Sequence, residues 1–431
     1  MSTVHDHSQA TLRPALSAAR PLHVVVLDEE FPYPLNSGKR VRTANLLLPL
    51  AARHKITYIA YRHAIADETE QAAEFFRSQG IATVVVDRPL PSKAGIGFYG
   101  RLALNLLSPL PYSVQSHDSL ALRQAIREYD RHHEVDLWHC EWTPYAVHLL
   151  GNSYAPWVVV AHNVESQIWQ RYYETESNLL KRWYIRRQWR KFQQFERAVF
   201  AAANQAIAVS DQDALLACRQ FGAPRLGVVE NGVDVAYFQP DQTPRDPQRI
   251  LFLGSLDWRP NLDAVQLLMD HIFPSVLAQE PRARLVLVGR KPPPWLRDRA
   301  SRQAGVELHA DVADVRPFLG QCGIMTVPLR IGGGSRLKIL EALAMRCPVA
   351  SSTVGAEGLD LIPGRHFLQA DTLEDMAAVL VQAIRAPQSL THMAREGRGV
   401  VIDRYDWSAL SARLETIWKE QAGLAVLGSG I

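Results

Sequence analysis

The sequence predicts an α/β protein with two doubly wound lobes. Short apolar runs rich in β-branched residues alternate with stretches of helical spacing along most of the 431-residue chain. The runs are continuous rather than alternating, which is typical of parallel strands buried on both faces. Eleven such runs are too many for one comfortable sheet. We therefore expect two Rossmann-like lobes that face a central cleft, with ligands bound beyond the carboxyl ends of the strands.

The apolar runs place six strands in the first half of the chain and five in the second. The predicted strands lie at 22–28, 56–61, 81–87, 135–140, 157–162 and 205–210, and then at 250–254, 284–289, 305–309, 323–328 and 348–352. Between them, apolar residues recur with the period of a helix, for example in 41–50, 264–272 and 337–344.

The same pattern divides the chain into segments. We expect a disordered lead-in at 1–20, a first lobe at 21–222, a second lobe at 223–404, and a C-terminal helix and tail at 405–431. The polar, proline-rich stretch 239–249 has the composition of a linker between the lobes. The sequence leaves open which lobe the C-terminal helix packs on, and packing back on the first lobe is one of the two alternatives.

Composition and charge exclude several classes of protein. Forty-seven cations and 44 carboxylates give a net charge of +3, which is too small for a nucleic-acid coat. No uncharged apolar run approaches the ~20 residues of a membrane span, and the first residues lack the apolar core of a signal peptide. The four cysteines are not spaced as zinc ligands, and we expect no metal site.

Two loops that follow predicted strands have residues suited to anion binding. In the first lobe, Gly38 ends an Asn-Ser-Gly turn directly before a helix, where free backbone N–H groups attract an anion. An ordinary turn with a helix cap is the alternative. In the second lobe, three glycines and a serine precede a helix that bears two cations and a carboxylate. These residues are Gly332, Gly333, Gly334, Ser335, Arg336, Lys338 and Glu341.

The chemistry of the second loop suits a sugar nucleotide. Amides and cations neutralise a diphosphate, and a carboxylate accepts two hydrogen bonds from ribose hydroxyls. Lys338 and Glu341 are three residues apart and therefore share a helix face. The lysine does not stand in the frame of a P-loop. The alternative is a glycine-rich loop that caps a buried helix and leaves its charges in solvent.

In these loops the sequence resembles the family 4 retaining glycosyltransferases of the GT-B fold, and the resemblance covers nearly the whole chain. Four segments carry it in the family's order: FPYPLNSGKRVR, AHNVES, GSLDWRPNLDA and GGGSRLKILEALAMRCPVASSTVGAEGLD. They resemble the first glycine loop, a histidine-bearing loop, the opening of the second lobe and the donor-binding signature. The resemblance is nearest to bacterial enzymes that elongate exopolysaccharides, O-antigens and other cell-surface glycans.

The resemblance implies roles for particular residues. His162 would reach the transferred hexose from the first lobe, although a lone histidine after a strand is often only structural. Glu165 would either act as a general acid/base or hydrogen-bond the acceptor, and the sequence leaves both open. Glu341 would bind the nucleotide ribose. The remaining donor-site residues would be Gly333, Gly334 and Ser335 at sugar and phosphate, and Arg290 near base and phosphates.

The chain departs from the family pattern at two places. Many members have a Glu eight residues before the ribose Glu, where this chain has Gly333. Many members also have an Arg and a Lys after the strand that opens the second lobe, where this chain has Ser255 and, near the Lys, Pro260 and Asn261. We infer that Arg259, Arg336 and Lys338 supply the positive charge for the diphosphate instead.

We therefore expect a retaining hexosyltransferase. It would move a hexose from a nucleoside diphosphate sugar to a lipid-linked or oligosaccharide acceptor in cell-surface polysaccharide biosynthesis, with Lys338 stabilising the leaving group. No cofactor and no metal ion are expected, and nucleic acid is not expected as a partner. The alternatives are a non-hydrolysing sugar-nucleotide epimerase and a non-catalytic GT-B partner in a glycan assembly complex, which Gly333 keeps open.

One segment of the first lobe is strongly basic. Residues 179–200 contain seven cations, one carboxylate and six aromatic residues, with helical spacing. Such a helix is typical of contact with an anionic membrane surface, so we expect a cytoplasmic protein that works at the inner face of the plasma membrane. The alternative is a helix whose aromatic stripe packs on the sheet.

Overall fold

The computed structural model contains two parallel sheets, each covered by helices. It describes residues 20–35, 37–62, 67–87, 95–152, 154–223, 226–240, 243–331 and 336–428. In this part of the chain, no helix is long and apolar enough to cross a membrane. The predicted α/β architecture of two doubly wound lobes is confirmed.

The first sheet has seven parallel strands in the order β3-β2-β1-β4-β5-β6-β7. The strands are β1 His23–Leu27, β2 Lys55–Tyr61, β3 Ile81–Val86, β4 Leu137–Cys140, β5 Trp157–Ala161, β6 Gln205–Ala208 and β7 Leu226–Val228. Every residue of β1, β4 and β5 is buried, as continuous apolar runs predict. Because β7 joins this sheet, the first lobe continues past residue 222, where the sequence suggested its end.

Eight helices of the described chain belong to the first lobe, and their apolar faces form a core on each side of the sheet. They are α1 Gly38–Ala51, α2 Glu68–Ser78, α3 Ile96–Asn105, α4 Tyr112–His117, α5 Leu120–His132, α6 Glu165–Thr175, α7 Leu179–Ala202 and α8 Asp211–Phe221. A short 3-10 helix, Thr143–His148, follows β4.

The second sheet has six parallel strands in the order β10-β9-β8-β11-β12-β13. The strands are β8 Asp246–Leu253, β9 Arg284–Gly289, β10 Val306–Ala310, β11 Cys322–Val327, β12 Val349–Ser351 and β13 Leu368–Gln369. The sequence did not predict β13, because a two-residue strand is too short to show a periodic pattern.

The described helices of the second half number eight. They are α9 Arg259–Leu267, α10 Phe273–Leu277, α11 Pro294–Arg302, α12 Arg316–Gln321, α13 Leu337–Ala344, α14 Leu373–Arg385, α15 Leu390–Tyr405 and α16 Trp407–Gly428. The π-helical segment Leu268–Ile272 joins α9 to α10.

The C-terminal helix α16 returns to the first lobe. Its buried apolar face packs on α1 and contributes to the core on one side of the first sheet through Trp407, Leu410, Leu414, Ile417 and Trp418. The hydroxyl of Ser411 donates to the backbone oxygen of Leu46 at 2.9 Å. The last helix of the chain therefore ties the second lobe to the first.

Candidate active site

Each sheet has one switch point, where neighbouring strands are not connected in simple succession. In the first sheet it lies between β1 and β4, and in the second it lies between β8 and β11. In open α/β sheets, ligands bind beyond the carboxyl ends of the strands at such points. The predicted residues Gly38, Arg259 and Lys338 lie at the amino ends of the helices that follow β1, β8 and β11.

Lys338 lies at the switch point of the second sheet, in the first turn of α13. Its Nζ donates to Oδ1 of Asn261 at 2.8 Å and lies 5.0 Å from the centre of the Phe252 ring. A side chain at Gly254 would place a Cβ 2.7 Å from this Nζ, so the glycine makes room for the lysine. Burial, together with the positive charge of Arg336, lowers the pKa of Lys338 to about 7, against the attraction of Glu341.

Glu341 follows one turn later on α13 and is half-buried. Burial raises its pKa to about 7, and the positive charge of Lys338 opposes this rise. An amine and a carboxyl, both shifted towards neutrality, are typical of a site where a ligand supplies the compensating charge or hydrogen bonds. An anion would restore the charge of Lys338, and hydroxyl donors would restore that of Glu341.

Two cations lie beside the positions where the family pattern has its Arg and Lys. Arg290, after β9, donates to the hydroxyl of Ser255 at 3.1 Å, and Lys338 contacts Asn261. The sequence named Arg290 for the base and phosphates, but it did not predict its contact with Ser255. Arg259 is exposed as the first residue of α9.

Arg336 is held differently from Lys338. It precedes α13 in the left-handed backbone region, with a φ of 54°. Its guanidinium is buried, donates to the backbone oxygen of Val354 at 2.8 Å, and lies 3.5 Å from a carboxylate oxygen of Glu357. A direct contact between Arg336 and a diphosphate stays a prediction. The predicted residues Gly333, Gly334 and Ser335 lie outside the described residues.

His162 lies at the carboxyl end of β5 in the first lobe, and 14% of its side chain is exposed. Its Nε2 is buried 3.3 Å from a carboxylate oxygen of Glu141, the residue that directly follows β4. Burial lowers the pKa of His162, while Glu141 raises it. Gly38, the residue predicted for anion binding in the first lobe, is the first residue of α1. The hydroxyl of Ser37 caps that helix.

Glu165 begins α6, three residues after His162. Its carboxylate accepts a hydrogen bond from Nε1 of Trp142 at 3.1 Å, and burial raises its pKa. The buried carboxylate of Glu196 on α7 accepts from the backbone nitrogens of Glu165 and Ser166, at 2.7 Å and 3.1 Å. Glu196 therefore occupies the amino end of α6 and fixes where Glu165 stands.

The two lobes approach each other at these loops. Leu337, the first residue of α13, packs against the core of the first lobe that contains α1 and α16. Arg171 on α6 lies 3.7 Å from a carboxylate oxygen of Glu357, the residue that also pairs with Arg336. The start of α13 and the first lobe therefore lie against each other.

The described residues contain no group of three or more His, Cys, Asp or Glu side chains that could hold a metal ion. Independence from metals stays a prediction.

Comparison with protein families agrees with this geometry. A model described as Glycosyltransferase Family 4 matches residues 36–237, and a model described as Glycosyl transferases group 1 matches residues 247–386. The two matches together cover most of both lobes. The chain belongs to the family 4 glycosyltransferases.

One relative of this family 4 glycosyltransferase matches part of its length. It is the phosphatidyl-myo-inositol mannosyltransferase of Mycolicibacterium smegmatis, which is 28% identical over 230 residues. The match spans 51% of this chain and 58% of the relative.

Solved structures share the GT-B fold of this family 4 glycosyltransferase. Anabaena HepE, in complex with UDP and glucose, has a TM-score of 0.62 and 16% identity over 93% of this chain and all of its own. The sucrose-phosphate synthase of Thermosynechococcus elongatus has a TM-score of 0.67 and 16% identity, covering 93% and 98% of the two chains. WaaG, a glycosyltransferase involved in lipopolysaccharide biosynthesis, has a TM-score of 0.61 and 14% identity over 93% of this chain and all of its own.

Sequence reasoning missed the buried groups that support the site of this glycosyltransferase. Glu141 and Glu196 were not singled out, and Asn261 was noted only as standing near the position of the family's Lys, although each contacts a predicted site residue. A signal for Glu141 does exist, since His139 and Glu141 stand two apart at the end of a strand and therefore face the same side. Glu196 and Asn261 give no such signal, because their partners come from other elements of the fold.

Proposed function

We propose that this protein transfers a hexose from a nucleoside diphosphate sugar to a lipid-linked or oligosaccharide acceptor, with retention of the anomeric configuration. This transfer would be a step in the biosynthesis of a cell-surface polysaccharide. UDP and glucose are bound in the HepE structure, which supports a nucleotide-sugar donor. The mannosyltransferase relative is named for a lipid acceptor, which supports a lipid-linked one here.

The pair formed by Lys338 and Glu341 carries the proposal. Both groups lie on the first turns of α13 at the switch point, and burial shifts the pKa of each towards neutrality. A sugar nucleotide offers a diphosphate for the amine and ribose hydroxyls for the carboxylate. An anion without a sugar ring would satisfy only the first of them.

The proposed chemistry relies on stabilising the leaving group. As the anomeric C–O bond breaks, negative charge accumulates on the diphosphate, and Lys338 and Arg290 lie where they would neutralise it. The acceptor hydroxyl then attacks the anomeric carbon from the face that the diphosphate leaves, and its proton passes to the departing diphosphate oxygen. His162 and Glu165 approach from the first lobe, and we assign them to the hexose and to the acceptor.

A donor screen tests the proposal directly. The full chain would be mixed with UDP-, GDP- and TDP-sugars, and the melting temperature would be measured, since a ligand that binds the folded state stabilises it. We expect one donor class to raise the melting temperature and to yield a glycosylated product from lipid-linked acceptors, with EDTA present. Binding without transfer would favour the non-catalytic alternative, and conversion of the sugar without an acceptor would favour the epimerase.

The activity should depend on pH in both directions. In the protein without donor, Glu341 gains a proton below pH 7, and Lys338 loses its proton above it. Because the donor requires a carboxylate and an ammonium, we expect kcat/KM for the donor to have its maximum near pH 7. We would measure kcat/KM between pH 5.5 and 8.5 (~3 units). In Glu341→Gln, kcat/KM should no longer fall on the acid side of the maximum. A flat wild-type profile would contradict the assignment.

We also propose that the first lobe contacts an anionic membrane, through a smaller surface than the whole segment 179–200. Residues Phe192, Phe195 and Val199 are buried in the core of the first lobe. This part of α7 therefore follows the alternative given above, a helix whose aromatic stripe packs on the sheet. The amino-terminal half of α7 is different, because Leu179, Leu180 and Trp183 are 80%, 75% and 51% exposed.

A second helix extends this exposed surface. Arg187 on α7 donates to the backbone oxygen of Leu106 at 3.3 Å, directly after α3, and Gln188 donates to Asn105 at 2.8 Å. Leu104 and Leu107 are 69% and 88% exposed beside this contact. Leu180, Trp183 and Arg187 share one face of α7, since they are separated by three and four residues. We define the membrane-facing surface as Leu104, Leu107, Leu180, Trp183 and the cations Arg186, Arg187 and Arg190.

Liposome flotation tests this surface. We expect the protein to float with vesicles that contain anionic lipid, and to do so less as salt increases. Leu107→Asp and Leu180→Asp should each reduce the bound fraction about tenfold, because each removes an apolar side chain from the interface. Leu215→Asp on α8, which alters another exposed leucine of the same lobe, is the matched control. Equal loss in all three variants, or no dependence on anionic lipid, would contradict the proposal.

A cytoplasmic location at the inner face of the plasma membrane is part of the same proposal. A nucleotide-sugar donor is made inside the cell, and a cationic surface is attracted to the anionic lipids of the cytoplasmic leaflet.

A further inference from the structure

A buried cluster beside His162 is not used by the chemistry described above. At its centre is Glu141, at the switch point of the first sheet, with 1% of its side chain exposed. Thr43 on α1 donates its hydroxyl hydrogen to Oε1 of Glu141 at 2.8 Å. Nε2 of His162 and a terminal nitrogen of Arg42 lie 3.3 Å and 3.5 Å from the same oxygen. Burying a carboxylate is costly unless it is paired and hydrogen-bonded, as this one is.

The other oxygen of Glu141 has a donor whose protonation state can be deduced. Nε2 of His139 lies 2.7 Å from Oε2 of Glu141, and Nδ1 of the same ring lies 3.1 Å from Nε1 of Trp418 on α16. An indole nitrogen only donates, so Nδ1 of His139 must accept and cannot have a proton. His139 is therefore neutral, with its proton on Nε2, and donates it to Glu141.

The groups around Glu141 keep it ionised. Burial alone would raise its pKa, but the hydrogen bond from His139 and the electrostatic contact with His162 outweigh burial and hold the pKa well below the usual range. Arg42, also buried, adds a positive charge on the side of α1. A carboxylate thus faces Nε2 of His162.

A carboxylate at this position selects one form of the His162 ring. A lone pair on Nε2 would be repelled by Oε1, whereas an N–H is attracted to it, so the proton belongs on Nε2. The contact is electrostatic, since the N–H does not point along the line of a hydrogen bond. The nitrogen left for a substrate is then Nδ1, which has a lone pair and accepts a hydrogen bond.

We propose that Glu141 is a positioning residue that fixes the orientation and tautomer of His162, and that Trp418 and His139 hold Glu141 in place. The inference rests on the proposed transfer only in assigning His162 to the hexose. Nδ1 of His162 would accept a hydrogen bond from a hexose hydroxyl. Because Trp418 belongs to α16, the helix that returns from the second lobe would contribute to the site in the first.

The tautomer can be measured without any reaction. In protein labelled with ¹⁵N-histidine, long-range proton–nitrogen spectra distinguish Nε2–H from Nδ1–H rings, and His162→Gln identifies the signals of His162. We expect a neutral His162 to have its proton on Nε2 in the wild type. In Glu141→Gln the two tautomers should mix, while the signals of histidines outside the cluster stay unchanged and show that the chain is still folded. An Nδ1–H ring in the wild type, or an unchanged ring in Glu141→Gln, would overturn the proposal.

A double-mutant cycle connects the cluster to turnover. We expect Glu141→Gln to reduce kcat about tenfold or more with little change in the donor KM, and to have no further effect in a His162→Ala background. Trp418→Phe, which keeps a large ring but removes the N–H, should act in the same direction and also lose its effect in that background. Additive losses would refute action through His162.

Tyr58→Phe is the matched control for the cycle. It removes a buried hydroxyl that donates at 2.6 Å to the neighbouring buried carboxylate of Asp28, and Glu141 is not its partner. We expect any effect of this variant on kcat to be the same with and without His162. The tautomer experiment remains decisive if the donor screen fails, so failure of the positioning role is distinguished from failure of the proposed function.

Discussion

Replacing Lys338 with alanine is expected to reduce kcat about 100- to 1,000-fold, with a smaller change in the donor KM. Negative charge on the diphosphate grows as the anomeric bond breaks, so an ammonium beside it stabilises the transition state more than the bound donor. The site is half-buried, which strengthens the interaction relative to water. Initial rates over a range of donor concentrations separate the two effects.

Two further variants make the Lys338 result interpretable. Lys338→Met keeps most of the apolar stem of the side chain and should lose as much turnover as alanine, which separates charge from packing. Arg282→Ala removes an exposed cation just before β9, at the amino ends of the strands and so on the side of the sheet away from the site. It should leave the rate unchanged. If Lys338→Ala retained near-wild-type turnover, the assignment of this lysine to the diphosphate would be wrong.

The sequence was sufficient for the parts of the fold that depend on local pattern. Continuous apolar runs identify the strands because buried parallel strands have no polar face, and all eleven predicted runs correspond to strands of the structure. The pairing of Lys338 and Glu341 could also be predicted from the sequence, since a spacing of three on a helix places them on one face. The family resemblance then gave these residues their roles.

What the sequence did not predict depends on contacts between distant segments. Glu141 is supported by Thr43, His139 and His162, and His139 is held by Trp418, which is 279 residues away. No local period reports such a contact. The basic helix shows the same limit, because only packing decides that Phe192 is buried while Trp183 is exposed. Arg336 looked like a free cation in sequence, yet its guanidinium is bound to Val354 and Glu357.

Replacing Glu341 should have a different signature from replacing Lys338. We expect Glu341→Ala to raise the donor KM about 100-fold and to change kcat less than tenfold, because the ribose lies away from the breaking bond and its hydrogen bonds are made equally in the bound donor and the transition state. Two hydrogen bonds to a carboxylate, at about 1.5 kcal/mol or more each, correspond to this loss. Steady-state kinetics at pH 7.5 (~0.5 unit above the maximum) measure both constants.

Donor analogues make this second prediction specific to the ribose. A nucleoside diphosphate sugar that lacks the 2′- or 3′-hydroxyl of the ribose should bind to the wild type about tenfold more weakly than the natural donor. Glu341→Ala should bind this analogue and the natural donor equally well. Glu374→Ala, which alters an exposed carboxylate in the first turn of α14, is the matched control and should still discriminate between the donors. If Glu341→Ala also discriminated between them, the hydroxyls would be recognised by another group. Glu341 would then serve mainly to balance the charge of Lys338, and its removal would affect kcat rather than KM.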